Sequence, residues 1–182
     1  MHPSKPGDGG MFIFLPDNIT ARIFSWQSRF KEYVKMPKPH LTIMYPPFLT
    51  KEEWKNYRKS ISDIMRQFSP FTVRFTETGF FSDPFFLYMA PADCPELYEM
   101  NTRLVSLCPE KLQGLNLKEF IPHVSIGTFP TKESVTEAKL QLKEFMSASE
   151  LSFTVKEIFF TALDDDFRWK IYDIISITGS EC

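Results

Sequence analysis

The chain has 182 residues, 43% of them hydrophobic and 24% charged, the make-up of one globular domain or two small lobes. Its net charge of −2 excludes a protein that coats nucleic acid through broad electrostatics, but not one that holds a nucleotide or a single RNA end. The longest apolar runs are too short to span a bilayer. The three cysteines, Cys94, Cys108 and Cys182, are widely spaced, and no stretch of the sequence resembles a secretory h-region. They are expected as free thiols in a cytoplasmic protein.

Residues Met1–Gly10 are rich in Gly, Pro and polar side chains and are expected as a flexible leader. A folded domain follows over residues 11–178, with a tail at 179–182. Met11–Leu15 reads as a strand closed by Pro16. Ile19, Ile23, Trp26, Phe30 and Val34 recur at helical spacing and predict a helix over Ile19–Val34. Met36-Pro37-Lys38-Pro39 is a stiff extended approach to a strand that starts at His40 and is expected to end at Pro46-Pro47. Thr50 and Glu53 form a capping-box pattern at the head of a helix from Lys51 to about Phe68.

Phe71–Phe75 alternates as a strand, Gly79–Asp83 reads as a turn, and Phe85–Met89 is another strand. Pro95–Leu107 carries a helical stripe of Leu97, Met100, Leu104 and Leu107. A strand over His123–Thr128 ends at Pro130, and Thr131 caps a helix to about Met146. Leu151–Val155, Ile158–Leu163 and Arg168–Thr178 read as strands, the last two joined by a turn at Asp164-Asp165-Asp166.

One pattern occurs twice. Pro39-His40-Leu41-Thr42-Ile43 and Pro122-His123-Val124-Ser125-Ile126 each combine Pro-His, an aliphatic residue, a hydroxyl residue and a second aliphatic residue. On a strand, His40 and Thr42 share one face while Leu41 and Ile43 point to the core; His123 and Ser125 do the same. Each copy therefore sets an imidazole about 7 Å from a hydroxyl, and each is followed by Pro, a Thr-capped helix and strands. An internal duplication predicts this order.

Two imidazoles facing one cleft can divide acid and base work near neutral pH. Phosphodiester cleavage needs such a pair, together with donors that hold the phosphoryl oxygens. Thr42 and Ser125 are the candidate donors. No Cys-x-x-Cys pattern or Cys/His cluster is present, so neither a metal nor another cofactor is expected. Tyr45 and Phe129 follow the motifs at similar offsets and are candidates for stacking on a base. Phe81, near the expected turn, is another, while Phe86 is expected in the core. Lys38, two residues before His40, is the candidate cation for the substrate; Arg74, Arg168 and Lys170 are weaker ones.

On these motifs the chain resembles the two-histidine (2H) phosphoesterase superfamily. That superfamily includes the 2′-5′ RNA ligase-like proteins, cyclic nucleotide phosphodiesterases and 2′,5′-oligoadenylate phosphodiesterases. The resemblance extends to Leu15-Pro16, Gly79-Phe80-Phe81 and Phe120-Ile121-Pro122, over roughly residues 11–178. It implies an α+β fold of two pseudo-twofold lobes, in which antiparallel strands with flanking helices enclose a central cleft. It also implies His40 as general acid and His123 as general base on a 2′,3′-cyclic phosphate or related 2′-linked diester. The alternatives are 2′,5′-oligoadenylate cleavage and a nucleotide- or RNA-end-binding module without turnover. Several RNA-processing members carry a basic residue just after the second motif. Gly127-Thr128-Phe129 stands there instead, which argues against RNA ligation as the main role.

Overall fold

A computed structural model describes residues 4–30, 34–35, 38–109 and 120–179. Parts of the expected leader (1–3), of the approach to His40 (36–37) and of the tail (180–182, with Cys182) lie outside them. Among the described residues, four helices pack against one curled antiparallel sheet. In chain order the elements are β1 (Asp8–Phe14), α1 (Asp17–Gln27), β2 (Val34–Lys35), β3 (His40–Thr50), α2 (Lys51–Met65), β4 (Phe71–Ser82) and β5 (Phe85–Pro91). They continue with α3 (Pro95–Leu107), β6 (Val124–Phe129), α4 (Lys132–Ser147), β7 (Ser152–Val155), β8 (Glu157–Leu163) and β9 (Trp169–Ser176). Among the described residues no helix is long and apolar enough to cross a membrane.

The sheet runs β7-β4-β5-β6-β3-β1-β8-β9, with β2 beside β6. This order is palindromic about the β6–β3 seam. β3 and β6 carry the two motifs, β1 and β5 flank them, and β8 and β4 come next. The seam is an antiparallel bridge between Leu41 and Val124, the residue after the histidine in each motif. A pseudo-twofold axis therefore passes between equivalent residues. The α+β, two-lobed expectation holds.

The chain contributes to the lobes crosswise. The first run, β1 to β4, gives β2 and its last strand to the lobe of the second motif, where β2 pairs β6 and β4 pairs β5. The second run, β5 to β8, gives its last strand to the lobe of the first motif, where β8 pairs β1.

Local chemistry explains the helix starts. Thr50 Oγ1 accepts from the Glu53 N–H while the Glu53 carboxylate accepts from the Thr50 N–H; Thr131 and Ser134 repeat the exchange at α4. The core joins both lobes and is dominated by long aliphatic and aromatic side chains, among them Trp26, Trp54, Phe48 and Phe160. Trp54 stacks on Phe160 with centroids 4.0 Å apart, and its indole N–H donates to Asp173 on β9. Cys94 and Cys108 are buried and stand outside any disulfide.

Several boundaries differ from those read in the sequence. The leader is structured earlier than expected: Asp8, Gly9 and Gly10 are buried in β1. A Cβ on Gly9 would lie 2.4 Å from the Phe160 ring, so this glycine serves close packing rather than flexibility. Helix α1 stops at Gln27, and Val34, expected at its end, pairs with Thr128 on β6 instead; strand pairing overrides helical periodicity there. Pro46-Pro47 does not end β3. The prolines sit in an irregular stretch where Met44 and Leu49 pair with Met11 and Gly9, so no ladder bond is asked of them. The expected turn at Gly79–Asp83 is strand through Ser82.

Candidate active site

The motif strands bring the two histidines to one face of the sheet. Leu41 and Val124 are buried beneath them, as alternation requires. Continuing the antiparallel register of the Leu41–Val124 bridge places His40 across from Ser125 and Thr42 across from His123. The charge of His123 is felt at His40 and disfavours its protonation, which places both rings in one electrostatic neighbourhood.

The two rings are held alike. Nδ1 of His40 lies 2.8 Å from the Lys38 carbonyl oxygen, and Nδ1 of His123 lies 2.8 Å from that of Ile121. A carbonyl only accepts, so each Nδ1 carries hydrogen and each Nε2 is left to titrate. Burial pushes the proton affinity of His40 below its ordinary value; the Lys38 carbonyl partly offsets this, and the charge of His123 adds to it. Burial likewise lowers His123, offset in part by the Ile121 carbonyl. The hydroxyls of Thr42 and Ser125 are half-buried. Among the described residues, no hydrogen bond takes up either of them.

Both histidines stand among aromatic rings. Phe12 meets His40 edge-on at 5.1 Å and Phe14 at 6.0 Å; Trp169 of β9 extends this wall, 6.3 Å from Phe12. Around His123 stand Tyr88 at 5.3 Å, Phe81 at 5.4 Å and Phe86 at 6.4 Å. Phe86, expected in the core, is instead half-buried beside His123. Tyr88 is seated by Gly79 opposite it on β4: a Cβ there would lie 2.3 Å from the Tyr88 hydroxyl. Nothing in the sequence singles out Tyr88, Phe12 or Trp169, because their places depend on cross-strand register.

Each motif strand carries a β-bulge at the same point. On β3, Thr42 pairs with Phe12 and Met44 with Met11, leaving Ile43 as the extra residue. On β6, Ser125 pairs with Tyr88 and Gly127 with Leu87, leaving Ile126 extra. A bulge moves every later side chain to the opposite face. Tyr45 is consequently 61% exposed on the histidine face. Phe129 is turned under the sheet, 5% exposed, with its ring edge-on to Phe30 at 5.7 Å. The expectation that Phe129 stacks on substrate is therefore corrected: the bulge gives its place on the cleft face to Thr128.

Three of the four candidate cations are engaged in ion pairs. Lys38 Nζ lies 3.0 Å from Asp17 and 5.9 Å from the Phe14 ring centroid, close to the His40 wall. Arg74 pairs with Glu150 and Lys170 with Asp164. Arg168 is exposed, and its backbone N–H donates to Asp164. Among the described residues, no group of three or more His, Cys, Asp or Glu side chains is gathered.

Residues 15–167 match the model of the 2′-5′ RNA ligase superfamily. The chain belongs to that superfamily. Along 177 residues it is 24% identical to a Geobacillus kaustophilus protein named "Putative phosphoesterase GK0864", covering 94% of this chain and 97% of that one. Its fold is that of TT0787 of Thermus thermophilus, with a TM-score of 0.71 at 16% identity over 95% of this chain and 99% of the other. It is also that of apo LigT of E. coli, with a TM-score of 0.69 at 18% identity over 96% of this chain and 99% of LigT. The fold is thus that of the LigT-like 2H phosphoesterases.

Proposed function

We propose that this protein is a metal-independent 2H phosphoesterase that opens a 2′,3′-cyclic phosphate, or cleaves a related 2′-linked diester, of a nucleotide or RNA end. The observation that carries the reading is the matched seating of the histidines: they flank the Leu41–Val124 bridge, and each has Nδ1 engaged by a carbonyl two residues upstream. In the reaction the neutral Nε2 of one histidine takes a proton from water as its oxygen bonds to phosphorus. The P–O bond to the ribose breaks, and the protonated Nε2 of the other histidine gives its proton to the departing oxygen. Thr42 and Ser125 donate to the phosphoryl oxygens. By likeness to the family, His40 is the acid and His123 the base.

The crystal structures of E. coli LigT include complexes with 3′-AMP and with phosphate, which supports a nucleotide phosphate as substrate here. A second reading, 2′,5′-oligoadenylate cleavage, is favoured by the aromatic walls on both lobes, since a linear diester offers a base to each. Tyr45, Phe81 and Lys38 are the proposed substrate contacts. Hydrolysis of 2′,3′-cyclic nucleotides and of 2′,5′-linked oligoadenylate, with and without EDTA, tests both. Turnover that survives EDTA supports the mechanism and selects the substrate; absence of turnover on every substrate overturns it.

A further inference from the structure

A bulged residue has no ladder partner, so its backbone groups need another. At both motif bulges the carbonyl is taken by a side-chain amide. Asn101 Nδ2, on α3, donates to the Ile43 oxygen at 2.8 Å. Gln27 Nε2, on α1, donates to the Ile126 oxygen at 2.6 Å. The acceptors are equivalent residues of the two motifs, each three positions after the histidine. The donors come from equivalent helices, α1 after β1 and α3 after β5. The pairing is crossed: the helix of each run supports the motif of the other.

We propose that Gln27 and Asn101 are positioning residues for the reaction. Each holds the bulge that aims the preceding hydroxyl, Ser125 or Thr42, at the phosphoryl group and that turns the residue two further on, Thr128 or Tyr45, to the cleft face. The inference rests on the proposed role of the two hydroxyls. Gln27 is 1% exposed, and its other amide atom, Oε1, is buried without a hydrogen-bond partner. A buried carboxamide with an idle oxygen is costly, and the N–H to Ile126 is what the side chain provides in return. Asn101 is half-buried, and its nitrogen also lies 3.5 Å from the Met44 sulfur, on the far side of the same bulge. Without these bonds, strand and partner can slip to regular pairing, which would carry Tyr45 or Thr128 back beneath the sheet.

The discriminating measurement is a set of double-mutant cycles on the full chain, read as kcat and KM on 2′,3′-cyclic AMP. Asn101→Leu is expected to lower kcat about 10- to 100-fold, with KM moving much less. In a Thr42→Val background the same change should cost several-fold less, because the hydroxyl it aims is gone and only the placement of Tyr45 is left to lose; in Ser125→Ala it should cost its full factor. Gln27→Leu should show the mirror image, coupled to Ser125 and independent of Thr42. Equal, multiplicative losses in both backgrounds would mean that the amides only support the fold, and would overturn the proposal.

A crystal structure of Asn101→Leu reads the positioning separately from turnover. Displacement of the Ile43 bulge and of Tyr45, with Ser125 unmoved, is expected; an unchanged bulge overturns the proposal. If the wild type turns over no substrate yet the bulge moves in the variant, the functional reading fails while the positioning device stands. Should Asn101→Leu not fold, Asn101→Asp replaces it, keeping the shape but unable to donate.

Discussion

Leu41 and Val124 are bridged across the seam between the lobes, and so each histidine stands beside the hydroxyl of the other motif. The four groups form one crossed set rather than two independent pairs. Replacing His40 or His123 by Ala is expected to lower turnover by about 10²–10⁴-fold. Thr42→Val and Ser125→Ala are each expected to cost about 10²-fold. Steady-state rates of the four variants check this, and a variant within about threefold of wild type would remove its residue from the set.

Burial lowers the proton affinity of both histidines below the ordinary pKa of 6.5. In the proposed mechanism the histidine pair carries one proton, so kcat/KM should follow a bell whose maximum lies on the acid side of that value. The same direction governs stability. Below the ordinary value the unfolded chain takes up protons that the folded histidines resist, so stability falls with falling pH and the penalty vanishes above that range. Melting curves from about pH 7.5 to about pH 5 should therefore show wild type losing more stability than the His40→Gln, His123→Gln double variant. Parallel curves would contradict the assignment.

Gly79 is the seat of Tyr88. Gly79→Ala places a methyl group where the phenol ring lies and is expected to destabilise the protein by about 1–3 kcal/mol while displacing Tyr88 from His123. In a Tyr88→Ala background the same substitution should be nearly neutral. Thermal denaturation of the four members of this cycle provides the check.

Asp173 ties β9 to α2. It accepts from Trp54 Nε1 at 2.9 Å and from Arg58 Nε at 2.6 Å. Burial pushes its carboxyl up, but the hydrogen bonds from Arg58 and Trp54 outweigh that and hold it below the usual range. Asp173→Ala leaves the buried indole N–H unpaired and should cost about 1–3 kcal/mol, measurable by urea unfolding. The loss should shrink when Trp54 is replaced by Phe.

Much of this molecule is legible in the chain because its signals are local. The Pro-His-x-hydroxyl repeats, the Thr50–Glu53 box and the stripe on α3 each announce themselves within a few residues, and all three elements form where they point. What escaped the reading depends on register. Ile43 and Ile126 look like ordinary aliphatic positions, and only their partners on β1 and β5 reveal the bulges. An offset counted from the motif therefore misplaced Phe129 and gave no hint of Thr128. Gly79 read as a turn because glycine marks turns more often than it marks a slot for a cross-strand ring. Gln27 and Asn101 are single polar residues on amphipathic helices, and nothing nearby in sequence names a strand carbonyl as their partner.

The exchange of strands and helices between lobes bears on how the molecule could be taken apart. Each lobe borrows strands, and its motif borrows an amide, from the other part of the chain. A cut in the connection between β4 and β5 would leave two fragments, neither holding a complete lobe. Such fragments should remain unstructured when expressed alone and recover order only when mixed, folding as partners in one reassembly.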